Sequence, residues 1–111
     1  MYRLIAVGLL ALLLGACEGQ NGSDGYRFGA AEYERDRIAV TIVQHDDRAA
    51  FLASARLHKV KTAEGSSLQA FTLISPDKPK CEIHIQRIAT HYRPQWLGHE
   101  LAHCIHGRWH P

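Results

Sequence analysis

The chain has 111 residues, of which 13 are Lys or Arg, 11 are Asp or Glu, 8 are His and 3 are Cys. This length accommodates a single domain, and a hydrophobic share of 46% is typical of a folded protein rather than a disordered one. The formal net charge of +2 and the lack of a Lys/Arg run argue against nucleic-acid binding. Four of the eight histidines lie between residues 99 and 110, so we expect the function at the C-terminal end.

The N-terminal segment MYRLIAVGLLALLLGAC has the layout of a secretory signal peptide. Arg3 supplies a positive charge, an apolar run begins at Leu4, and small residues precede Cys17. The apolar run is shorter than the roughly 20 residues that a membrane-spanning helix needs. The Leu-Gly-Ala-Cys ending resembles a bacterial lipobox, which implies that residues 1–16 are removed and that Cys17 becomes lipidated. The alternatives are ordinary secretion with cleavage near Ala16, or a buried Cys in a core helix.

The residues around the lipidation site predict where the protein resides. Glu18 stands where inner-membrane retention usually involves Asp, so the lipobox resemblance implies a lipoprotein of the bacterial cell envelope, in the outer membrane and facing the periplasm. The segment 17–29 contains four glycines after the lipidated Cys and predicts a flexible tether. We therefore expect the folded domain at 30–111.

Two cysteines remain in the predicted domain, Cys81 and Cys104. In an oxidising compartment an even pair of cysteines favours a disulfide. Two buried thiols and a pair of thiolate metal ligands are the alternatives that the sequence leaves open.

Apolar periodicity and turn residues predict a small α+β fold. Asp46 and Asp47 are candidate N-caps for an alanine-rich helix, while Pro94 suits the first turn of a later helix and Gly107 its end. The expected elements are a strand over 38–43, a helix over 48–57, strands over 68–74 and 81–86, and a helix over 94–106. The predicted order is therefore β-α-β-β-α, with the last helix at the C-terminus.

The last predicted helix carries the sequence His99-Glu-Leu-Ala-His103, an HExxH motif. Residues four apart share a helix face, so both imidazoles can converge on one ion. The adjacent Glu100 is the base for a metal-activated water in sites of this kind. Zinc suits two or three imidazoles with an open position, so we expect Zn²⁺ as the cofactor.

The third metal ligand is less determined by the sequence. His106 shares the helix face but lies about 10 Å along a straight helix from His99, too far for one ion. Gly107 permits the chain to turn, and His110 can then fold back over the ion. We therefore expect His110 as third ligand, with His106 as the alternative.

The segment resembles the active-site helix of zincin metallopeptidases, and the predicted element order is similar to the core of their catalytic domain. Gly107 and His110 keep the Gly-to-His spacing of the metzincin pattern HExxHxxGxxH, but one residue is inserted after His103. The Met-turn of metzincins and the downstream Glu ligand of gluzincins have no counterpart after His110. The resemblance is thus to a minimal zincin rather than to either standard clan.

This resemblance implies a membrane-anchored zinc peptidase that hydrolyses a peptide or protein substrate in the cell envelope, with Glu100 as the base. His91, Tyr92 and Arg108 are candidates for a second electrophile, and we expect the strand at residues 81–85 to form the edge on which an extended substrate pairs. The alternative is a non-catalytic metal-binding or structural envelope lipoprotein.

Overall fold

The computed structural model describes residues 22–75, 77–91, 93–108 and 110. The predicted signal peptide, the lipidation site Cys17 and the start of the predicted tether lie outside the described residues. The elements, in chain order, are β1 (Ala39–His45), α1 (Arg48–Leu57), β2 (Ala70–Ile74), β3 (Lys80–Gln86), α2 (Ile88–His91) and α3 (Pro94–His106). The α+β class is therefore confirmed, with the short helix α2 as an addition to the predicted order. No helix among the described residues is long and apolar enough to cross a membrane.

The three strands form one mixed sheet in the order β1-β3-β2. β3 pairs in parallel with β1 and antiparallel with β2, so it lies in the centre of the sheet. The expectation that residues 81–85 form an edge is therefore wrong, and β2 is an edge strand instead. The alternation of Cys81, Ile83 and Ile85 with polar residues predicts that β3 has one solvated face. His84 and Gln86 on that second face are nevertheless buried, because a central strand is covered from both sides.

Helix α3 covers one face of the sheet. Cys81, Ile83 and Ile85 of β3 form a buried cluster with Ala70 and Cys104, and apolar residues of α3 pack against this cluster. Cys81 and Cys104 form a disulfide with their Cα atoms 5.6 Å apart. The disulfide thus joins the central strand directly to the helix that carries the HExxH motif.

Helix α1 covers the opposite face. The Asp47 side chain accepts a hydrogen bond from the backbone N–H of Ala50 and caps the start of α1. Phe51 and Ala55 of this helix pack with Leu68 and Phe71 into a second buried cluster. The two faces of the sheet therefore support two separate apolar clusters.

His84 is the buried polar residue of the α1 face. Its ring stacks on Phe71 with centroids 4.5 Å apart, and its Nδ1 lies 2.8 Å from Nε2 of His45. Its Nε2 hydrogen-bonds to the carboxylate of Glu82. Burial lowers the pKa of His84, against the opposing effect of Glu82, with the nearby His45 and His58 lowering it further.

We predict that replacing both disulfide cysteines (Cys81→Ala together with Cys104→Ala) lowers the free energy of unfolding. The disulfide bridges a sequence separation of 23 residues, for which loop-closure entropy gives about 3 kcal/mol. Urea unfolding of the double variant and of the oxidised wild type measures the difference. A difference below about 1 kcal/mol would show that the cross-link contributes little to the fold.

We also predict that His84 makes stability fall in acid. Its pKa in the folded chain lies below the unfolded value of 6.5, so the unfolded state binds the proton more readily. The contribution of neutral His84 to the free energy of unfolding is therefore fully present above about pH 6.5, and it is lost as the pH falls through the lowered pKa. Between about pH 7.5 and pH 5.5, the urea midpoint of His84→Gln should fall less than that of the wild type. The exposed His91 provides a matched control, and His91→Gln should follow the wild type.

Candidate metal centre

Helix α3 presents two histidines toward one point. His99 and His103 are one helical turn apart, and their Nε2 atoms lie 3.0 Å from each other. Nδ1 of His103 is 2.7 Å from the carbonyl oxygen of Gly107. Because a carbonyl can only accept, this contact requires a proton on Nδ1, and in the neutral ring it leaves the lone pair of Nε2 free for a ligand.

Gly107 turns the chain so that a third histidine reaches the same point. It ends α3 with a φ of +105°, and a Cβ at this position would lie 2.9 Å from Cβ of Glu32. The chain then returns, and Nε2 of His110 lies 2.9 Å from Nε2 of His103. The structure thus brings together His99, His103 and His110, the three residues that the sequence predicts as ligands.

A fourth potential ligand comes from the segment Gly22–Tyr26, which we call the N-terminal strap. Asp24 of the strap has an oxygen 3.0 Å from Nε2 of His99, and its other oxygen lies 3.3 Å from Nε2 of His103 and 3.1 Å from that of His110. All four ligand atoms lie within 4.8 Å of one another. The structure thus places part of the predicted tether against the domain, with Asp24 buried in the centre.

The spacing of these atoms fits a metal ion. Two ligand atoms on a tetrahedral zinc, with bonds of about 2.0–2.1 Å, stand about 3.3 Å apart. Five contacts in the cluster run from 2.9 to 3.3 Å, and all four ligand atoms lie within 4.8 Å of one another. Hydrogen bonds alone explain the arrangement poorly. Nε2 of His103 has three close partners, whereas an imidazole nitrogen carries at most one hydrogen. The cluster of one Asp and three His is therefore able to hold a metal ion.

The charges of the cluster also suit a cation. Burial alone would raise the pKa of Asp24, but hydrogen bonds with His103 and His99 lower it well below its usual range. Burial alone would lower the pKa of His103, whereas contacts with Asp24 and Gly107 raise it. Burial lowers the pKa of His110. An ionised carboxylate thus lies among three imidazoles, a donor set that zinc commonly takes.

Glu100, the candidate base, is buried on the same side of α3. Its carboxylate accepts hydrogen bonds from the hydroxyls of Ser23, in the strap, and Thr72, in β2. Burial raises the pKa of Glu100, and the two hydroxyls oppose this effect without overcoming it. A carboxyl group with a raised pKa is suited to accept and return a proton near neutral pH.

A cleft of about 470 Å³ opens beside the cluster. One wall contains Glu100, His103 and His110, and another is the middle of the edge strand β2. The remaining lining residues come from the strap, the segment after α1 and the C-terminal turn: Asp24, Tyr26, His58, Lys59, Val60, Lys61 and Arg108. The cluster is therefore reachable from outside, beside a strand edge that pairs with no other strand among the described residues.

Several sequence-predicted residues lie away from the cluster. His106 is not among its ligands; the His106 carbonyl accepts hydrogen bonds from the backbone of Glu32 and Tyr33. His91 is exposed on α2, whereas Arg108 does line the cleft. Tyr92 lies outside the described residues. Cys104 faces the sheet in its disulfide, so the two cysteines are not metal ligands here.

Sequence reasoning missed Asp24, Ser23 and Thr72. The strap reads as a polar, glycine-rich tether, and a single Asp within it carries no spacing signal toward a motif some 75 residues later. Thr72 lies in a strand whose sequence contains no motif that would mark it as a functional residue. Only the fold brings these side chains to the HExxH helix.

We compared the chain with known proteins. No protein-family model matches it, and neither a curated protein nor a solved structure does so.

We predict that the purified chain binds about one zinc ion and that His103→Ala abolishes this binding, because a buried ligand near the middle of the cluster is removed. Elemental analysis after dialysis against a weak chelator measures the metal content. His106→Ala, on the same helix but outside the cluster, is the matched control and should keep its metal. Equal metal content in the two variants would contradict the assignment.

Proposed function

We propose that this protein is a zinc-dependent peptidase. The observation that carries the proposal is that Glu100 and two histidines of the cluster line one cleft together with the edge strand β2. An acid–base carboxyl group, a metal-binding cluster and a surface for an extended chain are the three parts that peptide hydrolysis by this chemistry needs. The resemblance of the HExxH helix to that of zincins agrees with this interpretation.

The substrate would bind as an additional strand. In the part of the chain that the structure describes, β2 pairs with β3 along one side only, and Phe71, Thr72 and Leu73 of β2 line the cleft. Unpaired N–H and C=O groups at a strand edge are a template for an extended peptide. A peptide in this position runs past the cluster, which brings one of its carbonyl groups to the histidines.

His99, His103 and His110 would hold the zinc ion. When bound, the ion supplies Lewis acidity that polarises a carbonyl group and lowers the pKa of water toward about 7. Glu100 accepts the proton of the attacking water and passes it to the leaving amine, so that the peptide bond breaks into a free acid and a free amine. Thr72 holds the Glu100 carboxylate in place from β2, the strand on which the substrate lies.

The predicted location limits the substrates. A lipid anchor at Cys17 would hold the domain at the membrane surface, in the cell envelope, since several acyl chains give firm attachment. The domain is small, which supports the processing of particular envelope proteins rather than general degradation.

A non-catalytic metal-binding role is the second candidate, and one observation favours it. With Asp24, the cluster offers four protein ligands, the number found in closed structural zinc sites. Such a protein would need Glu100 only as a buried, hydrogen-bonded side chain. The two functions therefore differ in what Glu100 does.

We predict that Glu100→Gln removes hydrolysis and keeps the metal. Loss of the base lowers the rate by about 10² to 10⁴. Cleavage of a mixed peptide library is followed by mass spectrometry, and zinc content by elemental analysis. Asp24 can fill the fourth ligand position, which a catalytic zinc site keeps open for water. The substitution is therefore made both in the wild type and in an Asp24→Ala chain.

The exposed Glu64 gives a matched control, and Glu64→Gln should cleave as its parent does. Absence of cleavage in both parents, with about one zinc ion bound per chain, would contradict the peptidase and favour the metal-binding role. Retained cleavage in Glu100→Gln would contradict the role of Glu100.

A further inference from the structure

The N-terminal strap is a turn that contributes Asp24 and Tyr26 to the lining of the cleft. The backbone carbonyl of Ser23 accepts a hydrogen bond of 2.7 Å from the N–H of Gln69, next to the start of β2. The carbonyl of Asp24 accepts one of 3.2 Å from the N–H of Ala63. Tyr26 stacks on the ring of His110 with centroids 4.5 Å apart. The strap thus uses main-chain hydrogen bonds beside the edge strand and a ring contact at the cluster.

Two adjacent strap residues contact the two reactive parts of the proposed site. The Asp24 carboxylate lies between the three histidine Nε2 atoms, and the Ser23 hydroxyl hydrogen-bonds to the Glu100 carboxylate. A water that attacks a substrate must lie between the histidine cluster and Glu100. The Ser23-Asp24 pair contacts both groups and covers this region.

Glycines permit this close approach. Gly22 lies so near the ring of His99 that a Cβ would be 2.1 Å from its Nδ1. Gly25 has a φ of +83°, a backbone conformation that residues other than glycine rarely adopt. The strap residues are thus suited to an intimate contact with the cluster, which a flexible linker would not require.

We propose that the strap is a built-in inhibitor of the site, in which Asp24 is a displaceable fourth metal ligand. The cleft is then a receptor for peptides that carry a metal-binding carboxylate. This inference rests on the proposed function. The three histidines belong to α3 and its C-terminal turn, whereas the strap precedes the first strand and is outside the sheet and helices. Release of the strap leaves three imidazoles with an open position and uncovers Glu100.

The test uses the full chain loaded with Co²⁺, whose visible absorption changes with its ligands, and acetohydroxamate as the probe. A ligand that must displace the strap binds only to the molecules whose strap is released, so its apparent affinity is reduced by the fraction of such molecules. Asp24→Ala should therefore bind the probe at least about tenfold more tightly than the wild type. The exposed Asp36 offers the matched control, and Asp36→Ala should bind as the wild type does. Asp24→Asn, which keeps the acceptor for the Tyr26 N–H, serves if Asp24→Ala does not fold.

Each outcome decides the inference. Equal affinity of wild type and Asp24→Ala for the probe, with Co²⁺ bound to both, would overturn it. So would complete loss of Co²⁺ from a folded Asp24 variant, because Asp24 would then be an obligatory ligand of a closed site. Tighter probe binding without peptide cleavage would support the displaceable strap while contradicting the peptidase, so the two proposals fail separately.

Discussion

The hydrogen bond between the Nδ1–H of His103 and the carbonyl of Gly107 is the interaction on which the candidate site depends. It fixes the tautomer of His103, so that Nε2 presents its lone pair to the cluster. It also holds the end of α3 to the turn that brings His110 back. A buried imidazole without this partner could take either tautomer, and the turn would lose a contact to the helix. The ligand geometry and the chain reversal are therefore one structural feature.

The rest of the fold keeps this helix in position. The disulfide connects α3 to the central strand β3, which is held by backbone hydrogen bonds to both of its neighbours in the sheet. Thr72 of the edge strand β2 hydrogen-bonds to Glu100, so the surface available to a substrate and the candidate base are linked by a direct contact. Burial of Glu100 and Asp24 opposes their ionisation, whereas hydrogen bonds from their neighbours favour it and overcome the effect of burial at Asp24 but not at Glu100. The polar groups of the site thus form one connected set.

Much of this arrangement could be predicted from the sequence. The helices over 48–57 and 94–106 have the predicted bounds, since local capping and periodicity determine them. The convergence of His99, His103 and His110 follows from helical spacing and from Gly107. The central position of β3 could not be predicted, because the order of strands depends on long-range pairing. The role of the strap could not be predicted either, because Asp24 meets its partners only through the tertiary fold.

X-ray absorption at the zinc edge of the zinc-loaded chain tests the central claim most directly, because it reports the number and type of ligand atoms. The account predicts three imidazole nitrogens and one carboxylate oxygen at about 2.0–2.1 Å, without a sulfur contribution near about 2.3 Å. A spectrum with sulfur ligands, or with fewer than three imidazoles, would contradict the site described by Asp24, His99, His103 and His110.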